Sequence, residues 1–480
     1  MAMAKQLYSL TLDWSWPLCQ HFSALAQLPW AMLLDSSDAD HVDARFDIAV
    51  AQPLATLTSK QGETRVSYAE ELGAGFNAYV SSDAFHRKTS PFELVKRVSG
   101  ELLGEQPLAS DLGDHWPFIG GALGYFSYDL GRYSEHLPSQ AANDIDAYDM
   151  AVGIFDWALI ADKHNRSINL VHFGDEAGLA KRLAWLEARI ADYQQAPKAP
   201  QFQNTGPWRC QQSQQGYVQA FEQVQAYLHS GDCYQINLTQ RFDMGYAGDE
   251  YQAYLKLREH NQAPFAGFMR LDDHAILSLS PERFIQCQDQ QLQTKPIKGT
   301  KARHAEPDKD QQAAQALQAS EKDRAENLMI VDLLRNDFGR VAKPGSVTVP
   351  SLFAIESFPA VHHLVSTINA ELDEQYSAID ALAAAFPGGS ITGAPKIRAM
   401  EIIEELELSR RSIYCGSLGY ISHHGHMDSN ICIRTLLAKN NTLYCWAGGG
   451  IVADSQLELE YQECFDKVSK ILPLLGMPPN

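Results

Sequence analysis

Two residues of this sequence, Lys298 and Glu282, have settings in which their side chains could do chemistry. Lys298 lies between a proline and a glycine in the segment KPIKGT at 295–300. A lysine amine becomes a nucleophile when burial or neighbouring positive charge lowers its pKa. Glu282 follows a predicted strand over 275–279, and a carboxylic acid held at a strand end can act as a general acid. The alternatives are a surface lysine at a turn and an ion pair between Glu282 and Arg283.

Three glutamates could bind a cation. Glu460 and Glu463 are three positions apart, so on a helix they share one face and repel each other unless a positive charge lies between them. Mg²⁺ is the cation that best suits such hard oxygen ligands. Glu326 precedes an apolar run and is therefore expected at the edge of the core. The alternative for all three is a solvated helix face, with Glu326 paired to Lys322 or Arg324.

Two glycine loops and one arginine could bind an anion. FPGGSITGAPK at 386–396 leads into a predicted helix, whose unpaired N–H groups attract an anion. No Lys-Ser or Lys-Thr pair follows Gly393, which excludes a Walker A loop and favours a carboxylate over a triphosphate. AGGGI at 447–451 lets a backbone approach a ligand closely. Ordinary turns are the alternative for both loops. Arg434 is expected inside a strand over 431–437, and a buried arginine needs an anion.

The elements that must position these residues predict a mixed α/β fold. The strand and helix patterns do not alternate as a doubly wound sheet requires. Proline and glutamine dominate 196–210, so we expect a linker there between an N-terminal region at 1–195 and a catalytic region at 211–475. The predicted strands are 150–160 and 168–173, the predicted helices are 179–190, 216–229 and 311–334, and a β-meander is predicted over 416–422, 430–438 and 443–446.

Composition narrows the class of protein. The 480 residues contain 39 basic and 59 acidic side chains, a net charge of −20, which argues against nucleic-acid or anionic-membrane binding. No apolar run approaches the ~18 residues of a spanning helix, and MAMAKQLYSLTLDW lacks the apolar region of a signal peptide. The eight cysteines form no CxxC pair, as expected in a reducing compartment. We therefore expect a cytoplasmic enzyme.

The settings of the eight cysteines also indicate whether this chain could release ammonia from glutamine. A glutaminase of the common type needs its nucleophile on a sharp turn of the form Gly-x-Cys-x-Gly. None of the eight cysteines has that setting. We therefore expect that this chain does not make ammonia.

Several motifs occur in a fixed order and together resemble the chorismate-utilising enzyme family. The resemblance runs from about 213 to 472, and PFIGGALGYFSYD at 117–129 resembles the family's leading domain. It implies an α/β (α+β) fold with two packed antiparallel β-sheets surrounded by helices and an active-site cleft between the sheets. The motifs are KPIKGT at 295–300, ENLMIVDLLRND at 326–337, ITGAPK at 391–396 and GGIVADS at 449–455, followed by Glu460 and Glu463.

The resemblance also implies roles. Glu326 and Glu463, with Glu460 beside them, match the ligands of a Mg²⁺ ion that holds the ring carboxylate of chorismate. Lys298 matches a nucleophile that attacks ring carbon 2 as the carbon 4 hydroxyl leaves, and Glu282 matches the general acid/base. Ammonia would then add at carbon 4 and expel the lysine. His363 matches a third catalytic position. The positions that match substrate contacts are Thr300, Thr392, Gly393, Arg434, Gly449, Gly450 and Lys467.

Lys298 discriminates between branches of the family. It favours the branch that makes 4-amino-4-deoxychorismate, a transferase step toward 4-aminobenzoate and folate, with ammonia supplied by a separate glutamine amidotransferase subunit. The alternative is anthranilate synthase component I, which resembles this chain in most motifs but carries a small residue at that position. A non-catalytic carboxylate-binding regulatory protein is the alternative from a different class. Family members also have a tryptophan pocket, matched here by Ser36, Pro264 and Phe265.

Overall fold

The described part of the chain contains two antiparallel sheets, one of 13 strands and one of 12. The computed structural model describes residues 5–39, 41–72, 75–86, 89–104, 116–357 and 361–479. The strands are β1 (Gln6–Leu12), β2 (Met32–Asp35), β3 (Phe46–Val50), β4 (Ala55–Lys60), β5 (Glu63–Leu72), β6 (Gly75–His86), β7 (Gly121–Phe126), β8 (Met150–Phe155), β9 (Trp157–Asp162), β10 (Ser167–Gly174), β11 (Gln203–Asn204), β12 (Arg209–Cys210), β13 (Gln235–Ala247), β14 (Phe265–Arg270), β15 (His274–Ser280), β16 (Arg283–Gln288), β17 (Gln291–Thr294), β18 (Ile297–Ala302), β19 (Thr348–Ser357), β20 (Val361–Glu371), β21 (Gly393–Ala394), β22 (Ser417–Ser422), β23 (Met427–Asn430), β24 (Thr435–Lys439) and β25 (Thr442–Ile451).

The first sheet, called sheet 1, has the order β1-β10-β9-β3-β2-β14-β15-β24-β25-β13-β11, with β12 and β21 also paired to β13. The second, sheet 2, has the order β18-β20-β17-β16-β23-β22-β7-β8-β4-β5-β6, with β19 paired to β20. The two-sheet fold implied by the family resemblance is confirmed. The helices are α1 (Leu18–Phe22), α2 (Pro91–Leu103), α3 (Glu176–Gln195), α4 (Gln214–Ser230), α5 (Glu250–Asn261), α6 (Pro307–Gln318), α7 (Glu321–Gly339), α8 (Ala378–Ala385), α9 (Lys396–Leu406), α10 (Leu457–Val468) and α11 (Leu472–Leu475).

Both sheets take strands from both halves of the sequence. In sheet 1, β2 pairs with β14, and in sheet 2, β7 pairs with β22. The segment 196–210 contributes β11 and β12, which pair with β13. Apolar side chains from the two sheets meet in one buried cluster, for example Leu123 and Ile154 of sheet 2 with Met269 and Ile276 of sheet 1. Each such burial stabilises the fold by about 1.5–3 kcal/mol.

Three predicted elements differ from the structure because the chain changes sheet or direction within an apolar run. The strand predicted over 150–160 is two strands, β8 in sheet 2 and β9 in sheet 1, separated by Asp156. The strand predicted over 430–438 is interrupted, since β23 ends in sheet 2 and β24 begins in sheet 1. The helix predicted over 311–334 is α6 and α7, because Ser320 starts a new helix by accepting a hydrogen bond from the Asp323 N–H at 3.3 Å.

Two adjacent crossings between the sheets position the site. One crossing joins β15 to β16 and contains Glu282, and the other joins β23 to β24 and contains Arg434. They are bonded to each other, because the Ile431 N–H donates to the Glu282 carbonyl at 3.0 Å and the Leu279 N–H donates to the Arg434 carbonyl at 3.1 Å. Arg434 has a positive φ of 50°, so the prediction that it lies within a strand is wrong. Within the described residues, no helix is long and apolar enough to cross a membrane.

Candidate active site

Glu282 is a buried carboxyl group with the properties of a general acid. It is 6% exposed, and the Ser390 hydroxyl donates to its Oε1 at 3.1 Å. Burial raises the pKa of Glu282 to about 7, although Lys298 and the Ser390 hydrogen bond act in the opposite direction. The ion pair between Glu282 and Arg283 is absent, because Arg283 pairs instead with Asp428 at 2.8 Å and Asp43 at 2.9 Å. Glu282 is therefore free to exchange a proton near neutral pH.

Lys298 lies on β18, in the same cleft as Glu282. Its Nζ donates to the Ser390 carbonyl at 3.3 Å. Burial lowers the pKa of Lys298 and Lys467 acts in the same direction, against the carboxylates of Glu326, Glu282 and Glu463. This is not the setting of a surface lysine at a turn. A partly desolvated amine loses its proton more easily, and the neutral amine is the form that attacks carbon.

The three glutamates predicted as metal ligands come from two helices that meet beside β25. Glu326 belongs to α7, and Glu460 and Glu463 belong to α10. A Cβ on Gly449 would lie 3.1 Å from Glu460 Oε2 and 3.3 Å from Glu463 Oε1, so a glycine there lets both carboxylates approach the strand. Glu460 is buried and accepts from the Ser455 hydroxyl at 2.7 Å, which excludes the solvated-face alternative for this residue.

Two lysines provide positive charge among these carboxylates. Lys322 Nζ lies 3.9 Å from Glu326 Oε1 and 3.6 Å from Glu460 Oε1. Lys467 Nζ pairs with Glu463 at 2.6 Å and donates to the Gly448 carbonyl at 2.7 Å. Burial raises the pKa of Glu326. Burial acts in the same direction on Glu463, but Lys467, followed by Lys298 and Lys322, outweighs it and lowers the pKa of Glu463.

The donor set suits a hard divalent cation, since it consists of carboxylate oxygens gathered around positive charge. Across the described ranges, no three or more His, Cys, Asp or Glu side chains are already arranged to hold a metal ion. Lys322 makes both of its contacts with Glu326 and Glu460 at 3.6 Å or more. A cation could therefore take its place with only side-chain rearrangement.

Arg434 has no anionic partner among the residues that the structure describes. Its guanidinium is largely buried, and it makes no ion pair with any residue that the structure describes; burial alone lowers its pKa. Nearby, His363 and Thr300 are bonded through Nδ1 and Oγ1 at 2.8 Å. Burial, followed by the Arg434 charge, lowers the pKa of His363 to about 4, so this imidazole is neutral at pH 7. A buried, unpaired guanidinium is a binding site for an anion.

The loop before α9 is held rigidly rather than left open. Thr392 is buried and donates to the carbonyl groups of Gly388 and Gly389 at 3.2 and 3.3 Å. A Cβ on Gly393 would lie 2.1 Å from the Gln235 carbonyl oxygen, so β21 can pair with β13 only if this residue is glycine. The side chain of Gln235 packs in turn against Gly450. Thr392, Gly393 and Gly450 are therefore held together on β13, whose Ile236 pairs with Gly393 and whose Asn237 pairs with Gly450 and donates its N–H to the Thr392 carbonyl at 2.9 Å.

Of the three residues predicted to form a tryptophan pocket, two line the same cavity and one does not. Pro264 and Phe265 line a cavity of ≈ 290 Å³, which Arg283 also lines, with its guanidinium 4.9 Å from the centre of the Phe265 ring. Ser36 does not line that cavity; its hydroxyl donates to Asp47 at 2.5 Å. The cavity is distinct from the cleft that contains Lys298.

Two residues of the cleft make contacts that the sequence does not predict. Ser390 contacts both Glu282 and Lys298, and Lys322 contacts two of the predicted metal ligands. Nothing in the sequence marks a serine in a glycine loop as a contact of a residue 108 positions earlier. The sequence predicts Lys322 as an ion-pair partner of Glu326 but not of Glu460, because that second contact joins two helices distant in the sequence.

Comparisons with known proteins agree with this architecture. A family model described as chorismate binding enzyme matches residues 33–473. The chain is 55% identical over 452 residues to aminodeoxychorismate synthase component 1 of Klebsiella aerogenes, covering 94% of this chain and 95% of the relative. It is 52% identical over 467 residues to the protein of the same name from Escherichia coli strain K12, covering 97% of this chain and 98% of the relative.

A solved structure has the same fold. The crystal structure of anthranilate synthase component I from Streptococcus pneumoniae TIGR4 superimposes with a TM-score of 0.73 at 28% identity, covering 90% of this chain and 93% of that chain.

Proposed function

The chain belongs to the chorismate-binding enzyme family, and we propose that it transfers ammonia to carbon 4 of chorismate to give 4-amino-4-deoxychorismate, the activity named in its relatives from Klebsiella aerogenes and Escherichia coli. The observation that carries the proposal is the pairing of Lys298 and Glu282 in one cleft, both bonded to Ser390. The pair supplies a nucleophilic amine and a carboxylic acid, which are the two groups that the replacement of a hydroxyl by ammonia requires.

In the first half of the reaction, the neutral amine of Lys298 attacks ring carbon 2. The two conjugated ring double bonds each shift by one position, the bond from carbon 4 to oxygen breaks, and Glu282 gives its proton to the departing hydroxyl, which leaves as water. A pKa of about 7 for Glu282 keeps a large fraction of this carboxyl group protonated near neutral pH. The amine nitrogen then releases its extra proton to the Glu282 carboxylate.

In the second half, ammonia attacks carbon 4 and both ring double bonds shift back. The bond between carbon 2 and the Lys298 nitrogen breaks, and a proton from Glu282 restores the free amine. The new ammonium group at carbon 4 then releases its extra proton to Glu282, which regenerates the acid. Two displacements through one covalent intermediate place the amino group where the hydroxyl was. The enolpyruvyl ether of the substrate is retained, so no pyruvate is released.

The charged groups around the pair hold the two carboxylates of chorismate. Arg434 has no other anion within the described residues and binds the enolpyruvyl carboxylate as a fork. Thr300 and His363 lie beside it, and the backbone at Thr392, Gly393, Gly449 and Gly450, together with Lys467, completes the substrate site. Glu326, Glu460 and Glu463 would hold Mg²⁺, which when bound supplies the positive charge that binds the ring carboxylate among three glutamates.

The source of ammonia and the place of action complete the proposal. A glutamine amidotransferase subunit delivers the ammonia, in keeping with the description of the relatives as component 1 and with the missing cysteine turn. The protein acts in the cytoplasm on the path to 4-aminobenzoate and folate, without nucleic-acid or membrane partners. The cavity lined by Pro264 and Phe265 takes tryptophan without a contribution from Ser36.

The test is the identity of the product formed by the purified chain from chorismate, Mg²⁺ and ammonium. We expect 4-amino-4-deoxychorismate by NMR and no pyruvate in a coupled lactate dehydrogenase assay. Anthranilate with an equal amount of pyruvate would assign the chain to anthranilate synthase component I. Chorismate binding without turnover would assign it to the non-catalytic class.

A further inference from the structure

We propose that Ser390 is a positioning residue for this reaction: its hydroxyl orients the Glu282 carboxyl group and its carbonyl oxygen orients the Lys298 amine, so one residue fixes the relation between acid and nucleophile. The inference rests on the proposed function, since it assigns Ser390 to the step in which that acid and that nucleophile cooperate. Ser390 carries no charge and forms no bond with the substrate in this account.

The contacts that carry the inference join three separate elements. The Ser390 hydroxyl donates to Glu282 Oε1 at 3.1 Å, at the crossing from β15 to β16. Lys298 Nζ, on β18, donates to the Ser390 carbonyl at 3.3 Å. The backbone of Ile297, the first residue of β18, also hydrogen-bonds to the Glu282 carboxylate, so Ser390 adds a second link, one that reaches the Lys298 side chain itself.

The loop that carries Ser390 is fixed on both sides. Arg411 donates to the Ile391 carbonyl at 3.0 Å, and Lys396 donates to Asp337 at 2.8 Å and to the Ala385 carbonyl at 3.0 Å. A Cβ on Gly389 would lie 2.4 Å from Leu333 Cδ2, so this backbone is packed directly against α7. A residue held in this way can set the geometry of others.

The two contacts have different chemical consequences. Because Oε1 of Glu282 accepts from Ser390, the carboxyl group is held in one orientation and its transferable proton is placed on Oε2. Because one N–H of Lys298 is directed at the Ser390 carbonyl, the lone pair of the neutral amine is directed away from the loop. Because the acid and the nucleophile are already oriented in the free protein, little conformational entropy is lost when the reacting complex forms.

The charged groups that face Glu282 are Lys298 from β18 and Lys467 from α10, and Cys415 lies within its field. Both lysines, like the Ser390 hydroxyl, favour the ionised carboxylate. Loss of the hydroxyl removes one of these influences, so the protonated form of Glu282 should persist to higher pH. Glu282 must be protonated to act as the acid, so the alkaline limb of the pH–rate profile should move to higher pH.

The experiment compares Ser390→Ala, Ser390→Thr and Ser390→Cys with the wild-type chain and with Ser230→Ala as a matched control. Ser230 also makes hydrogen bonds through its hydroxyl, but it ends α4 at an exposed position. With chorismate, Mg²⁺ and ammonium, Ser390→Ala should lower kcat by about 10- to 100-fold, the loss expected for one hydrogen bond to a charged group. KM for chorismate should change by less than about 3-fold, since only the reacting complex uses the contact.

Two further readouts separate positioning from a structural role. Ser390→Thr, which keeps the hydroxyl, should recover most of kcat, and Ser390→Ala should shift the alkaline limb of the profile to higher pH. Ser390→Cys has a weak donor of similar size and should behave like alanine. Wild-type kcat in Ser390→Ala or Ser390→Cys would overturn the proposal, as would a loss of kcat with an unshifted profile and no recovery by threonine. A wild-type chain that fails to make 4-amino-4-deoxychorismate would instead overturn the proposed function.

Discussion

Replacing Arg434 by methionine should weaken chorismate binding strongly and leave the free protein at least as stable. The side chain keeps its length but loses the charge. In the structure this guanidinium is largely buried, burial lowers its pKa, and no anion pairs with it among the described residues. The desolvation of this charge therefore destabilises the free protein, and only a bound anionic ligand offsets that effect.

The expected magnitudes follow from this arrangement. A forked guanidinium makes two hydrogen bonds with a carboxylate, and each bond to a charged group contributes about 1.5–3 kcal/mol. Their loss is about 3–6 kcal/mol, which raises Kd for chorismate by about 10²- to 10⁴-fold. The free energy of unfolding of the ligand-free variant should be unchanged or higher by about 1–2 kcal/mol, because an unpaired buried charge has been removed.

The assay combines chorismate titration by calorimetry, with Mg²⁺ and without ammonia, and thermal unfolding of the ligand-free protein. Arg97→Met is a matched control, since Arg97 is exposed and its ion pair with Glu101 spans one helical turn at 3.6 Å. This control should keep wild-type Kd. A Kd for Arg434→Met within about 3-fold of wild type, or a Tm that falls by several degrees, would refute the assignment of Arg434 to the substrate.

Three further predictions concern the metal, the nitrogen donor and pH. Chelation with EDTA followed by dialysis should abolish activity and Mg²⁺ should restore it, because Glu326, Glu463 and a substrate carboxylate require a cation in one cleft; full activity in the chelated protein would contradict the metal assignment. The purified chain should use ammonium but not glutamine until an amidotransferase subunit is added, and sustained turnover of glutamine alone would reveal a glutaminase site. At fixed free ammonia, kcat/KM should fall above a pKa near 7 as Glu282 deprotonates and fall at low pH as Lys298 gains its proton, while Glu282→Gln should lower kcat by about 10²- to 10⁴-fold and remove the alkaline limb.

The sequence points to candidate residues by type, whereas their placement depends on the fold. Lys298 and Glu282 were singled out by residue type and neighbours, and the family motifs implied the two-sheet fold, which hydrophobic periodicity did not. Arg434 was assigned to a strand because apolar residues flank it. The structure has a turn with a φ of 50° there, since the chain leaves sheet 2 for sheet 1. A change of sheet leaves the apolar pattern almost unbroken, so periodicity cannot detect it.

Contacts between segments that are distant in the sequence could not be predicted either. Ser390 meets Glu282 only because the loop before α9 packs on α7 and against the crossing between the sheets. Lys322 meets Glu460 only because α7 lies beside α10. Such contacts depend on tertiary packing, whereas capping and turn signals are local, as at Ser320, where a serine cap divides a helix that periodicity had predicted to be continuous.

The product made by Lys298→Ala tests the central claim most directly, because the claim is that this amine decides where ammonia enters the ring. The variant should still bind chorismate but make no 4-amino-4-deoxychorismate above about one thousandth of the wild-type rate, a loss typical of a removed nucleophile. Any amination that remains should occur at carbon 2 and release pyruvate with anthranilate, because carbon 2 is then open to ammonia. Formation of 4-amino-4-deoxychorismate by Lys298→Ala at a rate near that of the wild type would contradict the account.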